Sequence, residues 1–172
     1  DHKIAFLTED RKGEGLILDA SVMNNLHLAT IDRDRKGLFL DTSKHLKIAQ
    51  ENVATYRIKT PTLDTPVGTL SGGNQQKVVI GKWVNTDADI YIFDEPTRGI
   101  DVGAKIEVYN VMNSLVKQGK CVIMVSSELP EILGMSDRVI VMRHGKIMAE
   151  IDRDSEHFNQ EDIMKAGWGG TL

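Results

Sequence analysis

Short, uninterrupted apolar runs predict β-strands at three places along the chain. The runs are Ile4–Leu7, Ile90–Phe93 and Cys121–Val125, and each has the length of a strand without apolar–polar alternation. Strands of this kind, separated by helices, are typical of a parallel sheet covered on both faces. The pattern therefore predicts an α/β fold.

Helices are predicted where apolar residues recur at three- and four-residue spacing. The predicted helices are Ser21–Leu28, Ser43–Tyr56, a helix opening at Ser71-Gly72-Gly73, Val102–Gln118, Glu128–Leu133 and Gln160–Ala166. The spacing also predicts two buried helix faces. They are Leu46, Ala49, Val53 and Tyr56 on one helix, and Ile106, Tyr109, Met112 and Val116 on another.

Local signals mark where several of these elements begin and end. Asp101 can cap the helix that follows it, and Gly119 and Gly134 are expected to end helices. His144-Gly145 separates two apolar runs, Val139–Met142 and Lys146–Ile151, and predicts a β-hairpin with a two-residue turn.

Composition narrows the class of protein. The chain has 172 residues, a net charge of −4 and only 5% aromatic residues, which argues against a nucleic-acid-binding module. Its apolar runs are far shorter than the roughly 18 residues of a membrane span, and no signal peptide opens the chain. The single cysteine, Cys121, fits a reducing compartment and is predicted to be a buried core thiol.

The string Leu70-Ser-Gly-Gly-Asn-Gln-Gln-Lys77 is the first candidate for chemistry. Two glycines at a helix start allow close backbone approach, and the free N–H groups there attract an anion. Ser71 adds a hydroxyl donor, and Gln75 lies within one turn. An ordinary serine cap after a loop remains the alternative for Ser-Gly-Gly taken alone.

The second candidate is the apolar strand that ends in Asp94 and Glu95. Open α/β sheets bind ligands beyond the carboxyl ends of their strands, so both carboxylates are expected at that edge. Asp94 could hold Mg²⁺ through its water shell, and Glu95 could polarise an attacking water. The alternative is an acidic pair that caps the following turn.

Other kinds of site are not predicted. No Gly-Lys pair is followed by Ser or Thr, so the 172 residues contain no phosphate-binding P-loop. The five histidines show no metal-ligand spacing, and with one cysteine they predict no zinc site. No Ser/His/Asp set is recognisable.

The ordered motifs resemble those of ABC ATPases. LSGGNQQK resembles the signature motif, IYIFDEPTRGID resembles a Walker B strand running into a D-loop, and FLTEDRKGEGL resembles the Q-loop strand. VIMVSSELPEILGMSDRVIVMRHGKI is similar to the switch-loop strand, helix and closing hairpin. NQQK, EPTRGIDVGAK and SSELPEILGMSDR together resemble the second nucleotide-binding half of bacterial ribose-, galactose-, xylose- and arabinose-type import ATPases.

The resemblance implies a fold and a division of the chain. The fold is a partial P-loop NTPase core with a parallel sheet plus a mainly helical subdomain. Residues from about 10 to 86 would form the helical subdomain, and residues 1–9 and 87–172 the rest of the α/β core. The chain starts at Asp1 without a methionine, and we expect a truncation before residue 1 that removes the P-loop.

The resemblance also implies roles for individual residues. Glu95 would be the general base and Asp94 the Mg²⁺-linked carboxylate. Ser71, Gly72, Gly73 and Gln75 would contact ATP held by the opposite half, and Asp101 would be the D-loop aspartate. The Q-loop position, usually Gln, is Glu9, and the switch position, usually His, is Ser127. These two departures put efficient hydrolysis at this half's own site in doubt, because Ser127 brings no imidazole.

The leading hypothesis is an ATP-binding and ATP-hydrolysing subunit that drives monosaccharide import, with ATP and Mg²⁺ bound in the full-length protein. Its expected partners are the second nucleotide-binding half, membrane-spanning permease subunits contacted near residues 11–28 and, indirectly, a periplasmic sugar-binding protein. The expected location is the cytoplasmic face of the inner membrane. The alternatives are a non-catalytic regulatory half and, less favoured, a DNA-repair-type ABC ATPase. The isolated chain is predicted to be inactive.

Overall fold

A computed structural model describes residues 3–36 and 39–171. The chain forms two compact units, the first ending at Val125 and the second beginning at Ser126. Among the described residues, no helix is both long enough and apolar enough to span a membrane.

A three-stranded parallel sheet organises the first unit. Its strands are β1 (Ile4–Leu7), β4 (Ile90–Asp94) and β5 (Cys121–Val125), with β4 in the centre. The strand registers place Leu7 beside Phe93 and Asp94 beside Val125. The three apolar runs are thus confirmed as neighbouring parallel strands, and their carboxyl ends meet at one edge.

Only one face of this sheet is covered by the described residues. Ala5, Leu7, Tyr91 and Phe93 are buried, and α3 and α4, whose bounds follow, pack on β1 and β5. Residues on the opposite face of the outer strands are exposed: Ile4, Phe6, Cys121, Ile123 and Val125. The prediction of a sheet covered on both faces is therefore wrong for this part of the chain. The prediction of a buried Cys121 is wrong for the same reason, because its position falls on the exposed face.

Helices and two short strands lie between β1 and β4. They are α1 (Val22–His27), β2 (Arg35–Lys36), β3 (Phe39–Leu40), α2 (Thr42–Thr55) and α3 (Gly72–Val84). Ser21 caps α1 and Asp41 caps α2, each accepting a hydrogen bond from a backbone N–H three residues on. On α2 the buried residues are His45, Ala49 and Asn52, so the predicted face is wrong at Leu46, which is exposed.

Helix α4 (Val102–Lys117) follows β4 and starts at Asp101, whose Oδ1 accepts a hydrogen bond from the Ala104 N–H at 3.0 Å. Its buried residues are Ala104, Val108, Met112 and Leu115. Ile106 and Val116, predicted to be buried, are exposed. Two sets of apolar residues on α4 have helical spacing. The set that includes the small residue Ala104 is the one buried against the rest of the first unit. Gly119, with φ +80°, ends the helix region as predicted.

The second unit contains α5 (Leu129–Met135), β6 (Arg138–Arg143), β7 (Lys146–Asp152) and α6 (Gln160–Gly167). The hairpin is confirmed, and both turn residues have positive φ, +47° for His144 and +75° for Gly145. Helix α5 does not stop at Gly134, which lies inside it. The unit has its own core of Val139, Val141, Ile151, Ile163 and Ala166. The division into a helical part at about 10–86 and an α/β remainder stays a prediction.

Candidate functional site

The amino-terminal end of α3 is the first component of the site. Ser71 has extended backbone angles (φ −62°, ψ 156°), so the helix begins immediately after it. Its hydroxyl makes no cap bond to the backbone and instead accepts a hydrogen bond from Asn74 Nδ2 at 2.9 Å. First-turn N–H groups have no partner within a helix and carry the positive end of its dipole. This helix start therefore has the character of an anion-binding site.

Gly72 and Gly73 bring that helix start into direct contact with the segment after β4. A Cβ atom on Gly72 would lie 3.1 Å from the Gly99 carbonyl oxygen, and one on Gly73 would lie 2.8 Å from Ala104 Cβ. The second distance is closer than real Cβ atoms approach. We call this packing of residues 71–73 against residues 99–104 the signature contact. It requires glycine for steric reasons, beyond any contact with a ligand.

The segment after β4 is a tight, strained turn. Asp94 is the last residue of the strand, and Glu95 has φ +46°, a left-handed conformation that is unfavourable for a residue with a side chain. The Glu95 N–H donates to the Val125 carbonyl at 2.9 Å, and its carbonyl accepts from the Arg98 N–H at 3.2 Å. The two carboxylates thus stand at the carboxyl edge of the sheet, as predicted from the strand order.

Glu9 reaches the same edge from β1. It lies two residues beyond that strand, and its carboxylate is ion-paired with the guanidinium of Arg98 in the turn after β4. Both side chains are exposed to solvent, 45% for Glu9 and 66% for Arg98. Glu9, the predicted Q-loop residue, therefore contacts the loop that follows the two carboxylates.

Arg11 is the residue that sequence reasoning placed only within a broad coupling surface. Its Nη1 donates to Gln76 Oε1 at 3.3 Å and to the Arg98 carbonyl at 3.4 Å, linking α3 to the turn. Burial lowers the pKa of Arg11, and its Nε is buried without a hydrogen-bond partner in the described residues. No motif identifies this role, because it depends on two contacts far away in the sequence.

The model of the family described as ABC transporter matches residues 2–98. This chain belongs to the ABC transporter family. It is 53% identical over 169 residues to a xylose import ATP-binding protein of Thermoanaerobacter pseudethanolicus, covering 98% of this chain and 33% of that protein. It is 50% identical over 171 residues to a ribose import ATP-binding protein of Geobacillus kaustophilus, covering 99% and 34%.

The expected resemblance to sugar-import ATPases is thus confirmed, and the chain spans about a third of the length of these relatives. Solved structures agree on the fold. The post-hydrolysis dimer of the ATP-binding cassette MJ0796 with ADP and Pi matches with a TM-score of 0.76 at 22% identity, covering 90% of this chain and 64% of that one. The α/β fold of an ABC ATPase core is confirmed.

Within this ABC chain, Gln75 has a different environment from the other signature residues. Its side chain is 3% exposed, and its Nε2 donates to the carbonyls of Val67, Gly68 and Leu70 at 3.2–3.4 Å. The amide therefore supports the loop that leads into α3. Its predicted contact with ATP stays a prediction, as do the roles of Ser71, Gly72 and Gly73.

Ser127, the predicted switch residue, lies in the second unit and is exposed. The neighbouring Ser126 is held by two hydrogen bonds: its hydroxyl donates to Glu131 Oε2 at 2.6 Å and accepts from the Glu128 N–H at 3.0 Å. These bonds fix the backbone just before α5. The role of Ser127 in nucleotide hydrolysis is a prediction from the motif.

Proposed function

We propose that this chain is part of the ATP-binding subunit of a bacterial monosaccharide importer. The observation that carries the proposal is the signature contact, which sets the start of α3, where Ser71 is exposed, beside the turn that follows Asp94 and Glu95. The relatives named for xylose and ribose import support sugars of that size as the transported class.

In this proposal the two components serve different nucleotides. The helix start at Ser71, Gly72 and Gly73 contacts the γ-phosphate of ATP bound to a second nucleotide-binding half, because its N–H groups and dipole favour an anion. Asp101 lies at the interface between the halves. The anion is therefore recognised only when the two halves close on each other.

Asp94 and Glu95 would act on this half's own nucleotide. Two adjacent carboxylates at a sheet edge are oxygen donors of the type Mg²⁺ prefers, and Asp94 would hold the ion through its water shell. When bound, the ion offsets negative charge on the phosphates. Glu95 would accept a proton from the attacking water.

A second candidate function is a non-catalytic half that supplies only the signature contact and the dimer interface. Two observations favour it: Glu9, at a position usually occupied by a neutral Gln, is held by Arg98, and Ser127 has no imidazole. Both proposals share the same partners, namely a second half, permease subunits and indirectly a periplasmic binding protein. Both place the protein at the cytoplasmic face of the membrane.

The proposal implies a longer, full-length protein. Two substitutions in that protein would separate the two candidate functions. Ser71→Arg should lower ATPase turnover at least about 100-fold at the site that uses this signature, since one lost transition-state donor costs that much. Glu95→Gln should lower turnover only if this half is catalytic. Ser43→Arg, an exposed serine near the start of α2, is the matched control and should leave turnover unchanged.

The readout is steady-state phosphate release together with Mg-ATP binding by both halves. Unchanged turnover in Ser71→Arg would refute the proposed signature role. Unchanged turnover in Glu95→Gln, with loss in Ser71→Arg, would establish the non-catalytic half. If Glu9→Gln with Ser127→His raises turnover in that background, the two departures are the cause of the inactivity.

The 172-residue chain alone gives a separate prediction. Because it contains no P-loop sequence, it should neither bind Mg-ATP tightly nor hydrolyse it. A fluorescent-nucleotide titration of the purified chain tests this. Saturable micromolar binding would contradict the assignment of the nucleotide-binding residues to other parts of the protein.

A further inference from the structure

Three buried side chains converge where α1 is connected to α2. His27 is the last residue of α1, Asp34 lies in the connection, and His45 is in the first turn of α2. They are 2%, 1% and 7% exposed, and each offers one ligand atom within 4.8 Å of the other two. We call these residues the His/Asp cluster. It is remote in sequence from every motif assigned above.

Each member has one buried polar atom without a hydrogen-bond partner in the part of the chain that the structure describes. The atoms are His27 Nδ1, Asp34 Oδ2 and His45 Nε2. Buried polar atoms are almost always paired, because desolvation without a compensating bond costs free energy. Because the three residues also bring ligand atoms within 4.8 Å of one another, one shared ligand would satisfy them together.

The hydrogen bond on the other nitrogen of His27 identifies its tautomer. Nε2 lies 2.8 Å from the His45 carbonyl oxygen, which can only accept, so Nε2 carries the proton. The unpartnered Nδ1 therefore presents a lone pair. A ligating histidine in metal sites typically donates its second N–H to a carbonyl in the same way, which fixes the ring.

The carboxylate of Asp34, like the His27 ring, has one atom held by hydrogen bonds and one without a partner among the described residues. Its Oδ1 accepts from Lys44 Nζ and, at 3.4 Å, from Arg33 Nε, which leaves Oδ2 free to bind something else. Lys44 and Arg33 therefore hold one oxygen of the buried carboxylate, and the other oxygen has no hydrogen-bond partner among the described residues.

We propose that His27, Asp34 and His45 bind one Zn²⁺ ion, with the fourth position left to water. Two imidazoles and one carboxylate are a common zinc donor set, with bonds of about 2.0–2.2 Å and donor separations of roughly 3.4 Å. The His27 and His45 rings are stacked, 4.0 Å between centroids and 9° between planes. Coordination therefore requires the His45 ring to tilt, and its Nε2 has no hydrogen bond within the described residues to oppose that movement.

The position of the cluster assigns the ion a structural role. It would join the end of α1, the connection and the start of α2, so that metal binding and the folding of this segment are coupled. Sequence spacing does not predict such a site, because the two histidines are 18 positions apart. A buried water with three hydrogen bonds would occupy the same place, and uptake of metal separates the two possibilities.

The test uses the purified full chain, stripped with EDTA, with Zn²⁺ and Co²⁺ as the probes. Cys121→Ser is the background, because that thiol is exposed and thiolates are zinc ligands in their own right. We expect 1:1 uptake of Zn²⁺ by calorimetry and the visible absorption of tetrahedral Co²⁺. His45→Gln and Asp34→Asn should each weaken binding at least about 10-fold, the loss that even an outer-shell change produces.

The matched control is His157→Gln. His157 also contacts an aspartate, Asp162, at 2.9 Å, but it is partly exposed and lies in the second unit. Its substitution should leave Zn²⁺ affinity unchanged. Absence of stoichiometric uptake, or uptake lost with His157→Gln and retained in both cluster variants, would overturn the proposal and assign the place to water.

Limited proteolysis of the unsubstituted chain provides a readout that does not depend on folding of the variants. Zn²⁺ should slow cleavage within residues 28–41, and EDTA should restore it. Equal cleavage rates with and without Zn²⁺ would count against the proposal even where the cluster variants fail to fold.

Discussion

The signature contact and the His/Asp cluster hold helices in place by opposite means. In the signature contact, the backbone packs directly because glycine has no side chain. Gly72 and Gly73 allow α3 to approach Gly99 and Ala104 more closely than a Cβ permits. In the cluster, specific side chains are buried and leave lone pairs unpaired. Steric requirements on consecutive residues leave a readable sequence motif, whereas three residues from three separate segments leave none.

The largest expected effect on the free energy of unfolding is that of Gly73→Ala, and Gly134→Ala is the substitution to compare with it. A Cβ on Gly73 meets Ala104 Cβ at 2.8 Å, whereas one on Gly134 meets nothing within 4 Å. We expect Gly73→Ala to lower the free energy of unfolding by about 1–3 kcal/mol through overpacking. Gly134→Ala should raise it by about 0.5–1 kcal/mol, the usual gain inside a helix.

Urea unfolding measures both variants. Trp83 in α3 reports on the first unit and Trp168 on the second, each in a protein whose other tryptophan is replaced by phenylalanine. If the two substitutions shift stability in the same direction, the close contact is not what requires glycine at position 73. A need for ligand approach alone would then explain the motif.

Features formed by consecutive residues could be predicted from the sequence, whereas contacts between distant segments could not. The three strands, the hairpin and the carboxylates at the sheet edge are local features, and they were predicted correctly. Exposure of Cys121, Leu46 and Ile106 was not, because an apolar run or stripe does not say which of its faces another element covers. The bridging contacts of Arg11 were missed for a related reason, since they join distant segments.

A smaller effect concerns the cluster without metal. The pKa of Asp34 is about 2 in the folded chain and 3.8 ordinarily. Its ionised form therefore contributes stability that is present above pH 3.8 and is lost as the pH falls toward 2. The contribution is about 2 kcal/mol, at 1.36 kcal/mol per pKa unit.

Urea unfolding between pH 5 and about pH 2, with EDTA present, tests this dependence. Asp34→Asn should flatten the slope of stability against pH in the acid range. Asp154→Asn, which removes an exposed carboxylate of the second unit, is the control. If the free energy of unfolding depends on pH in the same way in Asp34→Asn and in the unsubstituted chain, ionisation of the buried carboxylate is not coupled to folding. The His/Asp cluster would then not differ from the signature contact in its electrostatic contribution to stability.

The smallest effect is expected at the ion pair between Glu9 and Arg98, next to the signature contact. Glu9 and Arg98 are both exposed to solvent, so water and salt screen their attraction, and Glu9→Gln should change the free energy of unfolding by less than about 1 kcal/mol. The exposed Arg138–Glu150 pair on the hairpin, at 2.7 Å, is a matched reference for a double-mutant cycle. Equal, salt-sensitive coupling in both pairs would mean that Glu9 adds no stability peculiar to this site. If the coupling free energy between Glu9 and Arg98 is well above that of the reference pair, the ion pair stabilises the turn after β4 in addition to the backbone contacts.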